Sequence, residues 1–221
     1  MGRPRRVSTG GIVYHVLNRS NHRLPLFEHD GDFSDFEAIL EQVCADSPMR
    51  VLAYCVMPNH WHMMLWPHQD GELSRFVARL TTIHTHRRQS YLRSIGDGHL
   101  YRGRFRSFPV QDDRHFLTVC RYVEQNPLRA KLVHRAEKWQ WCSLWRRESG
   151  DARRRGLLFE WPVDRPSDWL DLVNTPQPDR QVQQVRKSIV LDQPFGGPDW
   201  VSRMTELYGL ERRRRGRPRK K

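Results

Sequence analysis

The chain has 221 residues and a net charge of +13, from 38 Lys and Arg against 25 Asp and Glu, a length that buries a real core and suits one domain with an appendage. Its apolar runs, such as VLAYCVM, are far too short to cross a bilayer, and the basic start MGRPRRVSTG has no apolar stretch after it, so neither a membrane span nor a signal peptide is expected and the protein is placed in the cytoplasm. Cys44, Cys55, Cys120 and Cys142 form no CxxC pair, which excludes a zinc-finger regulator and reads as reduced thiols, three of them in apolar, periodic segments.

The chain opens on a basic arm, GRPRR, with Arg3, Arg5 and Arg6. GIVYHVLNRS then alternates as a strand with Ile12, Tyr14 and Val16 on one face. A helix follows in DFSDFEAILEQVCADS, with Phe33, Phe36, Leu40 and Val43 at helical spacing and Ser47-Pro48 as its stop. RVLAYCVM reads as a buried strand, MPN as a turn and HWHMMLW as the strand that pairs back. GELSRFVARLTTIHTHRRQSYL is a long helix that turns Leu73, Phe76, Val77, Leu80 and Ile83 inward. His84 and His86 within it point about 200° apart and read as surface or groove residues, not ligands. GRFRSFPVQ is a further strand, and DDRHFLTVCRYVEQN a helix capped by Asp112 and ended by Pro127. The order βαββαβ with one more helix predicts an α+β, ferredoxin-like sheet with two helices on one face and the opposite face free.

Three features carry chemistry. Residues i and i+2 of a strand share a face, so His60 and His62 point together while Trp61, Met63 and Leu65 enter the core. Two neutral imidazoles side by side begin a divalent-metal site, or they are strand histidines without a ligand. Tyr122 lies beside the apolar stripe of Phe116, Val119, Cys120 and Val123, with Asn126 one turn on. That pair reads as a nucleophile and a third metal ligand, or as a half-buried tyrosine and the cap of a short helix PLRAKLV. A phenol with an unperturbed pKa near 10 needs help to attack phosphorus, which a divalent ion at the phosphate supplies. Arg102, Arg104 and Arg106 form a period-2 ladder suited to phosphates.

Beyond residue 133, Trp139, Trp141 and Trp145 are expected to wrap the core. A Pro-rich accessory region then leads to a closing helix at PDWVSRMTELYGLE. The tail RRRRGRPRKK holds eight basic residues and no acid; with three more at the start, residues 7–211 are left with +2 (13 less 8 and 3). Basic arms on a nearly balanced body point to nucleic acid, bound with counterion release. Arg215-Gly216-Arg217-Pro218 resembles an AT-hook core, whose arginines enter a narrow minor groove.

AYCVMPNHWHMMLWP, YRGRFRSFPVQ and RYVEQNPLRAKLV, in that order, closely resemble the REP-associated tyrosine transposases, the single-tyrosine branch of the HUH transposases and nucleases. The resemblance covers residues 5 to 148. It implies a catalytic domain over 1–148, with a small accessory region at 149–211 and the basic tail at 212–221. It implies that His60 and His62 bind Mg2+ or Mn2+ with Asn126 as the third ligand, and that Tyr122 attacks single-stranded DNA to leave a 5′-phosphotyrosine and a free 3′-OH. It also implies a target of palindromic repeats folded as hairpins beside a short single-stranded tetranucleotide, with Arg3, Arg5 and Arg6 as its readers. The resulting expectation is a metal-dependent, nucleoid-associated strand transferase, monomer or homodimer. The alternative is a domesticated protein that binds the same hairpins without cutting them.

Overall fold

The computed structural model describes residues 8–21, 25–92, 99–149 and 156–210; Arg3, Arg5, Arg6, Arg215 and Arg217 lie outside the described residues. Strands β1 (Val13–Arg19), β2 (Arg50–Met57), β3 (His60–Trp66) and β4 (Arg106–Val110) form one antiparallel sheet in the order β2-β3-β1-β4. Helix α1 (Asp30–Asp46) joins β1 to β2 and α2 (Glu72–Leu92) lies between β3 and β4, which is the ferredoxin-like plan expected from the sequence.

Each strand sorts its side chains by parity. Tyr14, Val16, Trp61, Met63 and Leu65 meet Phe33, Phe36, Ile39, Leu40 and Val43 of α1 and Leu73, Phe76, Val77 and Leu80 of α2 in a first core. A bulge between Val51 and Ala53 shifts the parity of β2, so both Leu52 and Ala53 face the second side of the sheet. The Asp32 carboxylate starts α1 by accepting the backbone N–H of Glu28 at 2.8 Å and of His29 at 3.2 Å. His84 is a core residue, which corrects its reading as a surface or groove group. It is buried against Phe27 and Phe36 and hydrogen-bonds the Tyr101 hydroxyl at 2.7 Å, which also accepts from Trp61 Nε1 at 3.1 Å.

The second face is not free. Helix α3 (Arg114–Glu124) lays Phe116, Val119, Cys120 and Val123 across Val13, Cys55, Met64 and Phe108 in a second core. The physical reason is that β2 is apolar on both parities, and a strand apolar on both sides needs two covers. The cap of α3 is Asp113, one residue later than expected, and it accepts the His115 N–H at 2.7 Å. Gln125 stays helical, so α4 is only Asn126–Arg129, shorter than PLRAKLV suggests. A 3-10 turn (Ala136–Lys138) and α5 (Ser143–Glu148) follow, then α6 (Trp169–Asn174), α7 (Asp179–Leu191) and α8 (Pro198–Leu207).

The C-terminal region completes this second core with Trp169, Val173, Val182, Val185 and Phe195. It also occupies both sheet edges: Phe159 N–H donates to Val51 at 2.8 Å beside β2, and Phe195 N–H to Pro109 at 2.9 Å beside β4. Pro109 fits an edge strand because it has no N–H to give. In PFGGPDW, Gly196 leaves room that a Cβ would lose, 2.5 Å from the Trp200 ring and 2.7 Å from Gln111 Oε1. Among the described residues no helix is long and apolar enough to cross a membrane.

One buried ion pair ties these layers together. Arg146 of α5 donates to Glu37 at 3.0 Å and to Glu41 at 2.8 Å, and the Tyr54 hydroxyl of β2 donates to the same Glu37. Arg146→Met strands the Glu37 carboxylate, so a loss of about 3–5 kcal/mol is expected in urea unfolding. The double variant Glu37→Gln/Arg146→Met recovers most of that loss; equal losses in the single and double variants would contradict this account.

Candidate active site

The hairpin Met57-Pro58-Asn59-His60 places His60 at the start of β3, and strand parity puts His62 beside it with ring centroids 5.0 Å apart at 85°. Each ring is anchored through Nδ1. His60 Nδ1 hydrogen-bonds Asn59 Oδ1 at 2.7 Å, and His62 Nδ1 pairs with His15 Nε2 at 2.9 Å. His15 lies on the neighbouring strand β1, buried and packed on Phe108 with centroids 4.8 Å apart. Neither Nε2 of the histidine pair has a hydrogen-bond partner among the described residues, so both keep that nitrogen for a ligand.

Burial holds these rings neutral. It lowers His15 to about 3. His60 falls to about 4, through burial first and then the cations Arg19 and Arg129. His62 falls well below its ordinary value through burial, with His60, His15 and Arg129 adding. Neutral imidazole is the form that ligates metal, so the donor set fits a divalent ion with two nitrogens. No group of three or more His, Cys, Asp or Glu suited to a metal occurs among the described residues.

Helix α3 brings Tyr122 onto the same face. Its ring is 7% exposed and stands edge-on to His62, centroids 5.9 Å apart. The Arg129 guanidinium lies over the Tyr122 ring at 4.1 Å. Arg129 Nη2 donates to the Tyr122 carbonyl at 2.9 Å and to Asn126 Oδ1 at 2.7 Å. The structure therefore gathers His60, His62, Tyr122 and Asn126 and adds three residues that the sequence reading missed: His15, Asn59 and Arg129. Arg129 had a signal, since Tyr122, Asn126 and Arg129 follow the i, i+4, i+7 spacing of one helical face. His15 had none, because its contact depends on the register between β1 and β3.

The arginine ladder is not a ladder. Strand β4 begins at Arg106, and Gly103 at φ 75° turns the preceding segment, so Arg102 and Arg104 sit in a loop. Arg106 donates to the carbonyls of Ile189 and Val190, 2.9 Å each, at the C-terminal end of α7. Its charge is committed to those helix-end carbonyls. The three arginines still share a cavity of about 250 Å³ with Leu17, Arg19, Ile189 and Val190. Leu17 and Arg19 pair in register with His62 and His60, so this basic cavity borders the histidines.

The family described as Transposase IS200 like matches residues 8–126, which hold the sheet, the histidine pair, Tyr122 and Asn126. A curated Haemophilus influenzae protein named as a REP-associated tyrosine transposase is 22% identical over 121 residues, 51% of this chain and 69% of that protein. A solved REP-associated tyrosine transposase bound to a REP hairpin matches with a TM-score of 0.56 at 18% identity, over 80% of this chain and 95% of that one. Its likeness is one of fold.

The lowered histidines set a pH dependence. His15 at about 3, with His60 and His84 at about 4, all titrate below the 6.5 of an unfolded histidine. Between those values the unfolded chain holds protons that the folded one lacks, so stability is full above pH 6.5 and falls on acidification by about 1.4 kcal/mol per pH unit for each histidine. Urea unfolding between pH 7.5 and 5.5 is expected to show this decline, with an uptake of about four protons, one each for His15, His60, His62 and His84. A flat profile across that range would overturn the neutral assignment.

Proposed function

Because the chain belongs to the IS200-like transposase family, we propose that it is a metal-dependent strand transferase that cuts and rejoins single-stranded DNA at hairpin-forming palindromes through a 5′-phosphotyrosine. The observation that carries this reading is the meeting of Tyr122 with two neutral histidines whose free Nε2 atoms lie on the same face of the sheet. The relative whose structure holds a REP hairpin supports the hairpin as the substrate class.

In this reading the Tyr122 oxygen attacks the phosphorus and gives up its proton, the Tyr–O–P bond forms as the P–O3′ bond breaks, and the departing 3′ oxygen takes up one proton, so none is gained or lost overall. Attack of a 3′-OH on the phosphotyrosine reverses the exchange and returns the phenol, so no external energy source is consumed. His60 and His62 would hold Mg2+ or Mn2+, which supplies charge stabilisation at the phosphoryl oxygens. Asn126 joins them as third ligand only through the Oδ1 lone pair that Arg129 leaves free. Asn59 and His15 fix the ring orientations, which is the task of outer-shell partners. Arg102 and Arg104 line the adjoining basic cavity and would hold the strand, while the arms with Arg3, Arg5, Arg6, Arg215 and Arg217 supply long-range attraction.

Denaturing gels with a labelled hairpin oligonucleotide and Mn2+ test the reaction class. Wild type is expected to give a denaturant-resistant protein–DNA adduct that EDTA abolishes and that Tyr122→Phe does not form, with hairpin binding retained in a shift assay. Tight binding by wild type without an adduct would favour the non-cleaving hairpin binder. His15→Phe removes the His62 anchor while keeping an aromatic ring against Phe108. It is expected to weaken Mn2+ binding, followed by Mn2+ electron paramagnetic resonance, by about 10- to 100-fold with hairpin affinity in EDTA unchanged; unaltered Mn2+ affinity would remove His15 from the site.

A further inference from the structure

We propose that Arg129 is a catalytic residue, which with the Asn126 amide N–H receives a non-bridging oxygen of the scissile phosphate. The inference rests on the strand-transfer reading above and adds a residue and an anion site to it. Arg129 Nη2 is fully used by the Tyr122 carbonyl and Asn126 Oδ1. Arg129 Nη1 and Asn126 Nδ2 are buried and have no partner among the described residues. Guanidinium and carboxamide touch through the Nη2–Oδ1 bond, so the two orphan donors belong to one polar cluster beside the nucleophile.

Buried donors normally find acceptors, and Arg129, although half-buried overall, keeps a buried Nη1 without one. Arg129 contacts the Tyr122 ring and carbonyl and Asn126 Oδ1, and among the described residues no carboxylate makes an ion pair with it. The cluster therefore has donors and positive charge, with its acceptor still to come. A phosphodiester oxygen fits on both counts, and arginine's planar fork matches phosphate geometry. The position also suits the reaction, because the guanidinium already lies 4.1 Å over the ring whose oxygen attacks. Arg129 donates hydrogen bonds only and keeps its proton; the bond changes remain formation of Tyr122 O–P and cleavage of P–O3′. Charge that grows on the phosphoryl oxygens in the transition state is met by preplaced donors.

The test pairs a protein change with a substrate change. Arg129→Gln is expected to slow adduct formation by about 100- to 1,000-fold, the usual cost of losing such a donor. The decisive readout is binding in EDTA, in a Tyr122→Phe background, of hairpin oligonucleotides carrying either a phosphate or a neutral methylphosphonate at the scissile position. With Arg129 in place the methylphosphonate is expected to bind several-fold more weakly; in the Arg129→Gln protein that penalty disappears. A purely structural role, in which Arg129 only braces Asn126 and the Tyr122 carbonyl, leaves the penalty the same in both proteins and overturns the proposal. If Arg129→Gln fails to fold, Arg129→Lys takes its place, and a penalty undiminished by loss of the fork likewise overturns it. Absence of any adduct from wild type would instead sink the strand-transfer reading, so the two failures are told apart.

Discussion

A four-stranded sheet covered on both faces leaves its polar side chains without water, and the rest of this structure follows from that constraint. On the second face His15, His62 and Asn126 are all buried, together with the half-buried His60. Each must be satisfied from within the protein or stay short of a partner. The histidines meet the demand through Nδ1, by His15 with His62 and Asn59 with His60. The same bonds that relieve burial also fix the rings and reserve Nε2. In the proposed reading, packing and function are served by one set of contacts, and burial prepares the histidines as ligands.

The cover that imposes this burial is itself held by the C-terminal region. Glu124, two residues after Tyr122, is fully buried and accepts from Ser143 at 2.5 Å and from Trp169 Nε1 at 2.7 Å. Gln125 donates to the carbonyls of Val173 and Thr175, and Arg121 to Thr175. The tyrosine helix is thus clamped from α5 and α6 at its C-terminal turn. Burial raises the Glu124 carboxyl while both donors oppose the rise, so the two hydrogen bonds offset part of the cost of burying it. Residues 156–210 therefore position Tyr122 from behind while they close the second core.

Much of the fold was legible in the sequence because it depends on parity and local punctuation. Strand alternation gave the two faces, Ser47-Pro48 ended α1, and the spacing of Leu73, Phe76, Val77 and Leu80 set the inward side of α2. That His60 and His62 share a face was legible for the same local reason, whereas Tyr122 was singled out by the family resemblance, since the local pattern left it open to being an ordinary half-buried tyrosine. What failed depended on contacts distant in sequence. The two-sided apolarity of RVLAYCVM demanded a second cover, yet only the tertiary structure showed that α3 and residues 156–210 provide it. The arginine ladder assumed a strand from residue 103, and Gly103 in a left-handed turn breaks it. His84 looked polar enough for the surface, but Tyr101 gave it a buried partner.

The cations of this chain divide by what each one meets. Arg146 meets Glu37 and Glu41, and Arg106 meets helix-end carbonyls, so both are spent on the fold. Arg102 and Arg104 face a basic cavity and add to a field felt at a distance. Such exposed charges speed encounter and weaken as salt is added. Arg129 differs in being half-buried, with its Nη1 atom out of reach of water and no carboxylate in ion-pair contact among the described residues, and salt screens partly buried charge less. In the proposed reaction a protein of net charge +13 would gain affinity from many exposed arginines, but orientation of one phosphate beside one phenol needs a donor that cannot wander. In this structure the stack on Tyr122 and the two bonds from Nη2 give Arg129 that fixity.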